Sequence, residues 1–343
     1  MIGRRIALLP GDGIGPDVVA EAVRVLQIVA PTLVYEELFV GAGEYLRSGD
    51  PLPQQTFDRL RDFDAILLGA MGIPGVRWPS GVEMTPQIDL RERLDLYCGL
   101  RPIYLFHPLD SPLRDRAAGG IDIMLVREST EGLFAARQRP PDTSSGCVED
   151  TMRITRAGSE RVIRAAFRQA MLRRKRLALV DKANVLSSMA FFRRIFDEVA
   201  GEFPEVATER IYVDAAALYL VTQPERFDVL VTENMFGDIL SDLLAGLVGG
   251  MGMAPSADIG DRYAVFQPSH GSAPDIAGKG IANPVATILS AAMMLDWLGD
   301  GTAAGRIQTA VRTIFKDRAA RTRDMGGSVS TSEMTDAVIA VLP

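Results

Sequence analysis

The chain has 343 residues, of which 47% are hydrophobic and 24% are charged, so it reads as a globular protein long enough for two domains. Its net charge of −7 argues against general binding to nucleic acid or to a membrane surface. The two cysteines, Cys98 and Cys147, imply no disulfide framework and favour a reducing cytoplasm. No apolar stretch approaches the length of a membrane-spanning helix.

The first predicted unit is a strand, a glycine-rich turn and a helix. Residues 5–9 form an apolar run, residues 10–16 read PGDGIGP, and residues 17–28 repeat at helical spacing. The turn suggests a dinucleotide-binding fingerprint. However, Pro16 stands where that fingerprint requires its third glycine, so the pattern argues against a Rossmann domain.

Strands and helices alternate along the rest of the chain, which predicts an α/β fold with a largely parallel sheet. Predicted strands cover residues 33–40, 65–68, 103–106, 121–126, 177–180, 210–213, 227–231 and 263–266. Predicted helices cover residues 54–61, 88–97, 159–173, 185–199, 215–221, 284–298 and 304–315, with another opened by the stretch 232–246 and a last one after Ser330. Residues 128–153 are long, irregular and polar, as expected of an arm that pairs with another subunit.

The stretch Thr232–Gly246 places two aspartates on one face of its predicted helix and apolar residues, Ile239 among them, on the other face, which would be buried. Asp238 and Asp242 are four residues apart, so their carboxylates repel one another unless a cation lies between them. Oxygen ligands of this kind suit Mg²⁺ or Mn²⁺. The alternative is that Asp238 caps the helix after Gly237 and that Asp242 is simply solvated.

Three arginines are candidates for an anion pocket in this acidic chain. Arg91 lies in a predicted helix, Arg101 begins the next element, and Arg127 ends a predicted strand. Guanidinium groups bind carboxylates through paired hydrogen bonds. Each arginine taken alone also fits a surface ion pair.

Further charged residues lie at or just beyond predicted strand ends. Lys182, Asp214 and Glu233 hold such positions, as does Arg127, and open α/β sheets bind ligands along that edge. A lysine among apolar neighbours there has a lowered pKa and can act as a base. The alternative is a lysine whose amine extends to the surface.

The segment His270–Asn283 is a glycine-rich loop whose backbone can approach a ligand closely. Asp275 would accept hydrogen bonds from a ribose diol and would repel a 2′-phosphate, as acidic residues do in NAD sites. The alternative is that Asp275 caps a helix after Pro274.

Together these residues resemble the β-decarboxylating dehydrogenases, the family of 3-isopropylmalate, isocitrate, homoisocitrate, tartrate and D-malate dehydrogenases. The resemblance covers nearly the whole chain, and its most specific motifs are VDKANVL, FGDILSD and HGSAPDIAGKGIANP. It implies the family's own two-domain α/β fold rather than a Rossmann fold. Residues 1–96 and 250–343 would form a cofactor-side domain, and residues 97–249 a substrate, metal and dimerisation domain with a dimer-clasping arm near 128–153.

The resemblance also implies a role for each candidate residue in a homodimer with a shared active site. Lys182 and Asp214 would be catalytic and would come from the partner subunit. The metal ligands would be Asp214, Asp238 and Asp242. The substrate would be bound by Arg91, Arg101, Arg127, Thr85 and Gln87. The NAD-binding residues would be His270, Gly271, Ser272, Ala273, Asp275, Ile276 and Asn283.

The implied reaction is the NAD-dependent oxidative decarboxylation of a 2-hydroxy di- or tricarboxylate. Mg²⁺ or Mn²⁺ would bind the 2-hydroxyl and the α-carboxylate, Lys182 would take the hydroxyl proton, hydride would pass to NAD, and the β-keto acid would lose CO₂. Two positions depart from the family. Phe134 replaces the usual tyrosine that serves as the final acid, and Gln267 stands where a glutamate is common.

The residues that precede Arg91 bear on the substrate's C3 substituent. Isocitrate enzymes tend to have Ser and Asn there, and isopropylmalate enzymes have apolar residues. Thr85, Gln87 and Ile88 of this chain favour a small or polar substituent, as in tartrate or malate. The alternatives are an isocitrate- or homoisocitrate-type dehydrogenase, a non-decarboxylating relative, or a regulatory metabolite-binding relative, which the loss of tyrosine at Phe134 would suit.

Overall fold

One mixed sheet of ten strands organises the residues described by the computed structural model, which are 3–114, 120–137 and 146–343. The strands are β1 (Arg5–Gly11), β2 (Val34–Glu37), β3 (Ala65–Ala70), β4 (Cys98–Tyr104), β5 (Asp122–Glu128), β6 (Arg176–Asp181), β7 (Ala207–Tyr212), β8 (Val229–Thr232), β9 (Pro255–Ile259) and β10 (Ala264–Pro268). Their order across the sheet is β2-β1-β3-β10-β9-β4-β5-β8-β6-β7.

Eleven α-helices within those ranges alternate with the strands, which confirms the predicted α/β class. They are α1 (Gly15–Val29), α2 (Ala42–Ser48), α3 (Gln54–Leu60), α4 (Pro86–Arg93), α5 (Arg156–Met171), α6 (Ser187–Ala200), α7 (Val213–Thr222), α8 (Asn234–Gly246), α9 (Val285–Trp297), α10 (Gly301–Lys316) and α11 (Thr331–Ala340). No helix in the described ranges combines the length and the apolar character needed to cross a bilayer.

The centre of the sheet is antiparallel, although both flanks are parallel as predicted. β9 pairs antiparallel with β4 and with β10, and β4 pairs antiparallel with β5. The sequence analysis assigned no strand to β9, because Pro255, Ser256 and Asp258 break the apolar pattern of a buried strand. Yet the first four residues of β9 are buried. Their polar groups must therefore find partners inside the protein.

Strands from the two predicted domains meet at one seam of this sheet. β4 pairs with β9 from Cys98 opposite Ile259 to Leu100 opposite Ala257. The strands of the terminal segments lie on one side of the seam, and the strands of the middle segment lie on the other. The sheet is thus continuous across the predicted boundary, and the division into two domains stays a prediction.

Two helical cores support the strand ends that carry the site. In the terminal segments, α9 packs against β9, β10, α1 and α10, and ten of its 13 residues are buried. In the middle segment, α5 packs on α6, and Phe167 stacks on Phe196 at a ring-centroid distance of 5.4 Å and on Phe203 at 4.8 Å. A helix buried on nearly all sides, as α9 is, is typical of a protein interior, whereas α5 and α6 bury one apolar face and expose charged residues on the other.

Helices α7 and α8 present apolar side chains that the described chain does not cover. Leu218 on α7 is 59% exposed and Ile239 on α8 is 61% exposed. The sequence analysis placed Ile239 on the buried face of its helix, and that placement is wrong. Helix α7 is apolar almost throughout, yet only its Ala216 and Leu220 are buried. A helix that is apolar on all sides normally has all sides covered, so these helices favour a protein partner.

The base of the predicted arm is closed by main-chain hydrogen bonds. The Gly132 amide donates to the Arg153 carbonyl at 2.9 Å, and the Arg153 amide donates back at 3.1 Å. Residues 138–145 of the arm lie outside the described residues. Its dimer-clasping role therefore stays a prediction.

Asp12 links three loops on the terminal side of the sheet and generates a stability prediction. Its buried carboxylate accepts hydrogen bonds from the amides of Ala42 (2.8 Å), Gly43 (2.8 Å) and Gly72 (2.7 Å). We expect Asp12→Ala to lower the free energy of unfolding by about 2–4 kcal/mol, because three backbone amides lose an acceptor that is itself buried. Chemical denaturation measures the change.

The exposed Asp62 supplies the control for this prediction. Asp62→Ala should change the free energy of unfolding by less than about 0.5 kcal/mol. Equal stability of the two variants would show that Asp12 does not hold the loops together.

Candidate active site

A polar pocket lies where α4, α8 and the ends of β3, β5 and β10 meet. It collects eight of the predicted site residues, which are Gln87, Arg91, Arg101, Arg127, Asp238, Asp242, His270 and Gly271. The pocket does not include Thr85, Lys182 or Asp214. The structure therefore brings the three arginines and two aspartates together and leaves the predicted catalytic pair elsewhere.

Arg91 and Arg101 are held by a carboxylate that the sequence analysis missed. Arg91 Nε donates to Asp258 Oδ2 at 3.0 Å, and Arg101 Nη2 donates to Asp258 Oδ1 at 3.1 Å. Asp258 is fully buried on β9. Burial alone would raise the pKa of Asp258, but the attraction of the three arginines outweighs it and lowers the pKa to about 2. This carboxylate is therefore ionised throughout the neutral range.

Arg127 is the most deeply buried of the three arginines, with 2% of its surface exposed. Its Nε and Nη2 donate to Asn234 Oδ1 at 2.9 and 2.6 Å, and its Nη1 pairs with Asp238. A Cβ at Gly237 would approach Arg127 Cγ to 2.6 Å, so the glycine of the FGD motif makes room for the guanidinium stem. Burial, reinforced by the positive charge of Arg91, lowers the pKa of Arg127 to about 10. Arg127 still carries its charge at neutral pH.

Asp238 and Asp242 lie on one face of α8, as their spacing predicts, and both line the pocket. The capping alternative for Asp238 is wrong, because Glu233 is the N-cap and accepts from the amides of Met235 and Phe236. Burial, and then the neighbouring Asp238 carboxylate, raise the pKa of Asp242. Adjacent carboxylates that repel one another are suited to bind a hard divalent cation, which prefers oxygen ligands.

The described residues of one chain supply no third acidic ligand at this point. They contain no cluster of three or more His, Cys, Asp or Glu side chains arranged to hold a metal ion. The predicted third ligand, Asp214, instead forms an ion pair with Lys182 at 2.6 Å, and the Asp214 side chain is 69% exposed. The hydrogen bond from Lys182 lowers the pKa of Asp214.

Asp214 does not end a strand as predicted, because β7 stops at Tyr212 and Asp214 lies in the first turn of α7. The valine that precedes it belongs to the helix, and an apolar residue at such a junction fits either element. Lys182 directly follows β6, as predicted. A single chain therefore carries two separate groups, the arginine–aspartate pocket and the Lys182–Asp214 pair.

The segment His270–Asn283 is a loop between β10 and α9, as predicted, and it docks on the start of α1. The Ser272 carbonyl accepts a hydrogen bond from the Ile14 amide at 2.8 Å. Ala273 and Ile276 pack against the same region. Asp275 is exposed and caps no helix, so its capping alternative is wrong.

The two ends of this loop have different environments. His270 and Gly271 line the pocket, and burial lowers the pKa of His270 so that its ring is neutral at pH 7. Among the described residues, His270 Nε2 has no hydrogen-bond partner. Asn283 is engaged in structure, since its Nδ2 donates to Asp324 at 3.0 Å and its Oδ1 accepts from the Val285 amide at 3.1 Å.

The residues predicted to touch the C3 substituent separate in the structure. Gln87 lines the pocket, and its buried Oε1 has no donor within the described part of the chain. Thr85 is the N-cap position of α4 and lies outside the pocket lining. The Phe134 ring lies 5.5 Å from the Arg127 guanidinium and therefore contacts the site without supplying a proton.

Sequence reasoning missed Asn234 and Asp258 for different reasons. Asn234 belongs to the motif-bearing helix and lies four residues before Asp238, so helical spacing alone would have placed it beside the aspartates. Asp258 meets Arg91, Arg101 and Ser129, which are 129–167 residues away along the chain. No local pattern signals such a contact.

Comparison with known proteins agrees with this geometry. The isocitrate/isopropylmalate dehydrogenase family profile matches residues 5–338. A 3-isopropylmalate dehydrogenase of Corynebacterium glutamicum (strain R) is 45% identical over 98% of this chain and 99% of its own length. The 3-isopropylmalate dehydrogenase of Nocardia farcinica is 46% identical over 98% of this chain and all of its own length.

Solved structures share the fold as well as the sequence. An isocitrate dehydrogenase from Methylococcus capsulatus superposes with a TM-score of 0.90 at 38% identity and covers 99% of both chains. A β-decarboxylating dehydrogenase from Thermococcus kodakarensis superposes with a TM-score of 0.84 at 40% identity and covers 99% of this chain and 96% of that one. This chain belongs to the isocitrate/isopropylmalate dehydrogenase family of β-decarboxylating dehydrogenases.

Proposed function

We propose that this protein catalyses the NAD- and divalent-metal-dependent oxidative decarboxylation of a 2-hydroxy dicarboxylate of the 3-isopropylmalate, tartrate or D-malate type. The observation that carries the proposal is one pocket in which Arg91, Arg101 and Arg127 lie beside Asp238 and Asp242. Buried guanidinium groups recognise carboxylates, and paired aspartates suit a hard cation. A substrate that carries both carboxylates and a metal-binding hydroxyl matches this combination.

The metal would be held by Asp238 and Asp242 of one copy and Asp214 of a second copy. Bound there, Mg²⁺ or Mn²⁺ supplies a Lewis acid that makes the 2-hydroxyl more acidic and favours loss of CO₂ from the keto acid. The three arginines fix the carboxylates by charge-assisted hydrogen bonds. Lys182 of the second copy, directly or through water, accepts the hydroxyl proton.

Two features of the single chain support a homodimer. The Lys182–Asp214 pair is separate from the pocket that needs a base and a third acidic ligand. Helix α7, which begins beside Asp214, exposes Leu218 and is apolar on most sides, and the adjacent α8 exposes Ile239. Contact of these helices with a second copy would cover the apolar side chains and complete both active sites.

NAD is the coenzyme we assign to the loop His270–Asn283. Its backbone docks on α1 beside the pocket, and the exposed Asp275 carboxylate would accept from a ribose diol and repel a 2′-phosphate. The low cysteine count, two in 343 residues, suits a cytoplasmic location.

A second candidate is a relative that binds the hydroxy acid without completing decarboxylation. Phe134 favours it, because the ring beside Arg127 has no proton to donate to the enolate. Three arginines, three aspartates and Lys182 remain in the chain, and they favour the catalytic function.

The substrate prediction rests on Gln87. The buried Oε1 of Gln87 has no donor among the described residues, and an unpaired buried acceptor is energetically costly. An isopropyl group beside it would leave this cost in place, whereas a hydroxyl or a water would donate to it. We expect kcat/KM for tartrate or D-malate to exceed that for 3-isopropylmalate by about tenfold, with Gln87→Leu reversing the order. NADH and CO₂ formation with Mn²⁺ measure this across a panel that includes isocitrate and homoisocitrate.

The same panel tests the wider proposal. No turnover of any panel member, with substrate binding intact, would favour the regulatory relative. A preference for NADP over NAD would contradict the role given to Asp275. Retention of the native order by Gln87→Leu would remove Gln87 from the specificity argument.

The shared active site predicts complementation between two inactive variants. Lys182→Met and Asp242→Asn should each abolish activity, because one removes the base and the other a metal ligand. Mixed and refolded together, they form heterodimers with one intact site, so about one-quarter of native activity should return. A Lys182→Met chain mixed with the double variant Lys182→Met/Asp242→Asn is the control and should stay inactive. Failure of the first mixture despite proven heterodimers would mean that each chain builds its own site.

Phe134→Tyr tests the missing acid. A hydroxyl on this ring would supply the proton that the enolate requires, so we expect kcat for a decarboxylating substrate to rise by about tenfold or more. Phe134→Leu is the control that removes the ring and adds no acid. Unchanged kcat and unchanged CO₂ yield per NADH in Phe134→Tyr would show that another group already performs the protonation.

A further inference from the structure

Asp258 gathers donors from four separate elements in the interior of the sheet. Its Oδ2 accepts from Arg91 Nε at 3.0 Å and from Gln267 Nε2 at 2.8 Å. Its Oδ1 accepts from Arg101 Nη2 at 3.1 Å and from Ser129 Oγ at 3.3 Å. These donors belong to α4, β10, β4 and the segment after β5. One carboxylate thus connects the two sides of the seam between β4 and β9.

We propose that Asp258 is a positioning residue. Its carboxylate holds Arg91 and Arg101 side by side, in the orientation in which they bind a substrate carboxylate. The proposal rests on the proposed function, because it assigns those arginines to a hydroxy dicarboxylate. Asp258 also offsets one of the three positive charges of the arginine set.

The hydrogen-bond pattern leaves Arg91 free to bind a ligand. Asp258 engages Arg91 through Nε alone, and within the described residues its two terminal nitrogens form no hydrogen bond. Arg101 is fixed more completely, since its Nη1 also donates to the carbonyls of Leu100 and Ala257 at 3.1 and 3.2 Å. Without a carboxylate between them, two guanidinium groups in a buried pocket repel one another, and the less tethered Arg91 would move.

The backbone of β4 makes room for this arrangement. Gly99 lies opposite Arg127 of β5 on one side and opposite Asp258 of β9 on the other. A Cβ at Gly99 would approach Ser129 Oγ to 2.6 Å and Asp258 Oδ1 to 3.1 Å. The space that a side chain would fill is therefore occupied by the Asp258 network.

Gln267 allows an experiment that distinguishes the negative charge of Asp258 from the aspartate side chain itself. Its side-chain amide touches Asp258 Oδ2 and also lines the pocket. Glutamate has nearly the same shape as glutamine. The double variant Asp258→Asn/Gln267→Glu exchanges the carboxylate and the amide. One carboxylate stays in the network, but it is now carried by residue 267.

Asp228 is a matched control for a buried aspartate bound by arginine. Its side chain is fully buried and accepts from Arg173 Nε at 2.8 Å and from the Arg176 amide at 3.3 Å. It precedes β8, at the opposite end of that strand from Glu233 and α8, and it does not line the arginine pocket. Asp228→Asn should lower thermal stability and leave substrate binding unchanged.

The experiment compares Asp258→Asn, Gln267→Glu, the double variant and Asp228→Asn in the full-length protein. The readouts are steady-state kinetics with Mn²⁺ and NAD, and the rise in melting temperature caused by D-malate with Mn²⁺ alone. We expect Asp258→Asn to raise KM by about tenfold or more with kcat within about threefold, and to lose the D-malate shift. Gln267→Glu alone should also weaken binding, because two carboxylates then share one site. The double variant should return to within about threefold of native KM, the strong coupling expected of one network.

Several results would overturn the proposal. One is a KM for Asp258→Asn within twofold of native, and another is a double variant that binds no better than Asp258→Asn. If Asp258→Asn does not fold, the double variant decides: a folded, substrate-binding protein supports the proposal, and an unfolded one refutes it. Failure of the proposed function is distinguishable, because the D-malate shift requires no turnover. A native protein whose melting temperature rises with none of D-malate, tartrate and 3-isopropylmalate would contradict both proposals.

Discussion

The balance of like charges in a buried pocket is the constraint on which this site depends. Three guanidinium groups converge there, and groups of one sign stay buried together only if opposite charges or hydrogen bonds offset their repulsion. Asp258 supplies the charge for Arg91 and Arg101, and Asn234 with Asp238 supplies the partners of Arg127. Asp258 reaches the interior on β9, the strand that pairs antiparallel with both of its neighbours at the centre of the sheet.

A second imbalance extends beyond one chain. Asp238 and Asp242 are neighbouring carboxylates of like charge on α8, while Lys182 and Asp214 form an ion pair outside the pocket. The helix that begins beside Asp214 is apolar on sides that the described chain leaves uncovered. The separated site groups and the uncovered apolar side chains therefore lie on neighbouring elements. Association of two copies would resolve both, and it would make catalysis and assembly depend on one another.

The features of this molecule that the sequence predicts correctly are those that depend on residues close together along the chain. The alternation of strands and helices, the shared face of Asp238 and Asp242, and the motif arginines follow from local patterns, and the structure agrees with them. The sequence could not reveal Asp258, because its partners are distant in the chain and its strand lacks an apolar pattern. Ile239 was misplaced because helical spacing marks an apolar face without showing whether the chain itself covers it. Local periodicity in a sequence predicts neither ion pairs between distant residues nor contacts between chains.

Mn²⁺ binding to Asp214→Asn tests the central claim, that two copies build each active site, most directly. Asp214 does not line the pocket of its own chain, so Asp214 would become a metal ligand through a shared site. The account predicts a dissociation constant for Mn²⁺, measured by electron paramagnetic resonance in the dimer, that rises by about tenfold or more. Asp197→Asn, which removes an exposed aspartate paired with Arg210, should bind Mn²⁺ like the native protein. Native affinity in Asp214→Asn would contradict the account.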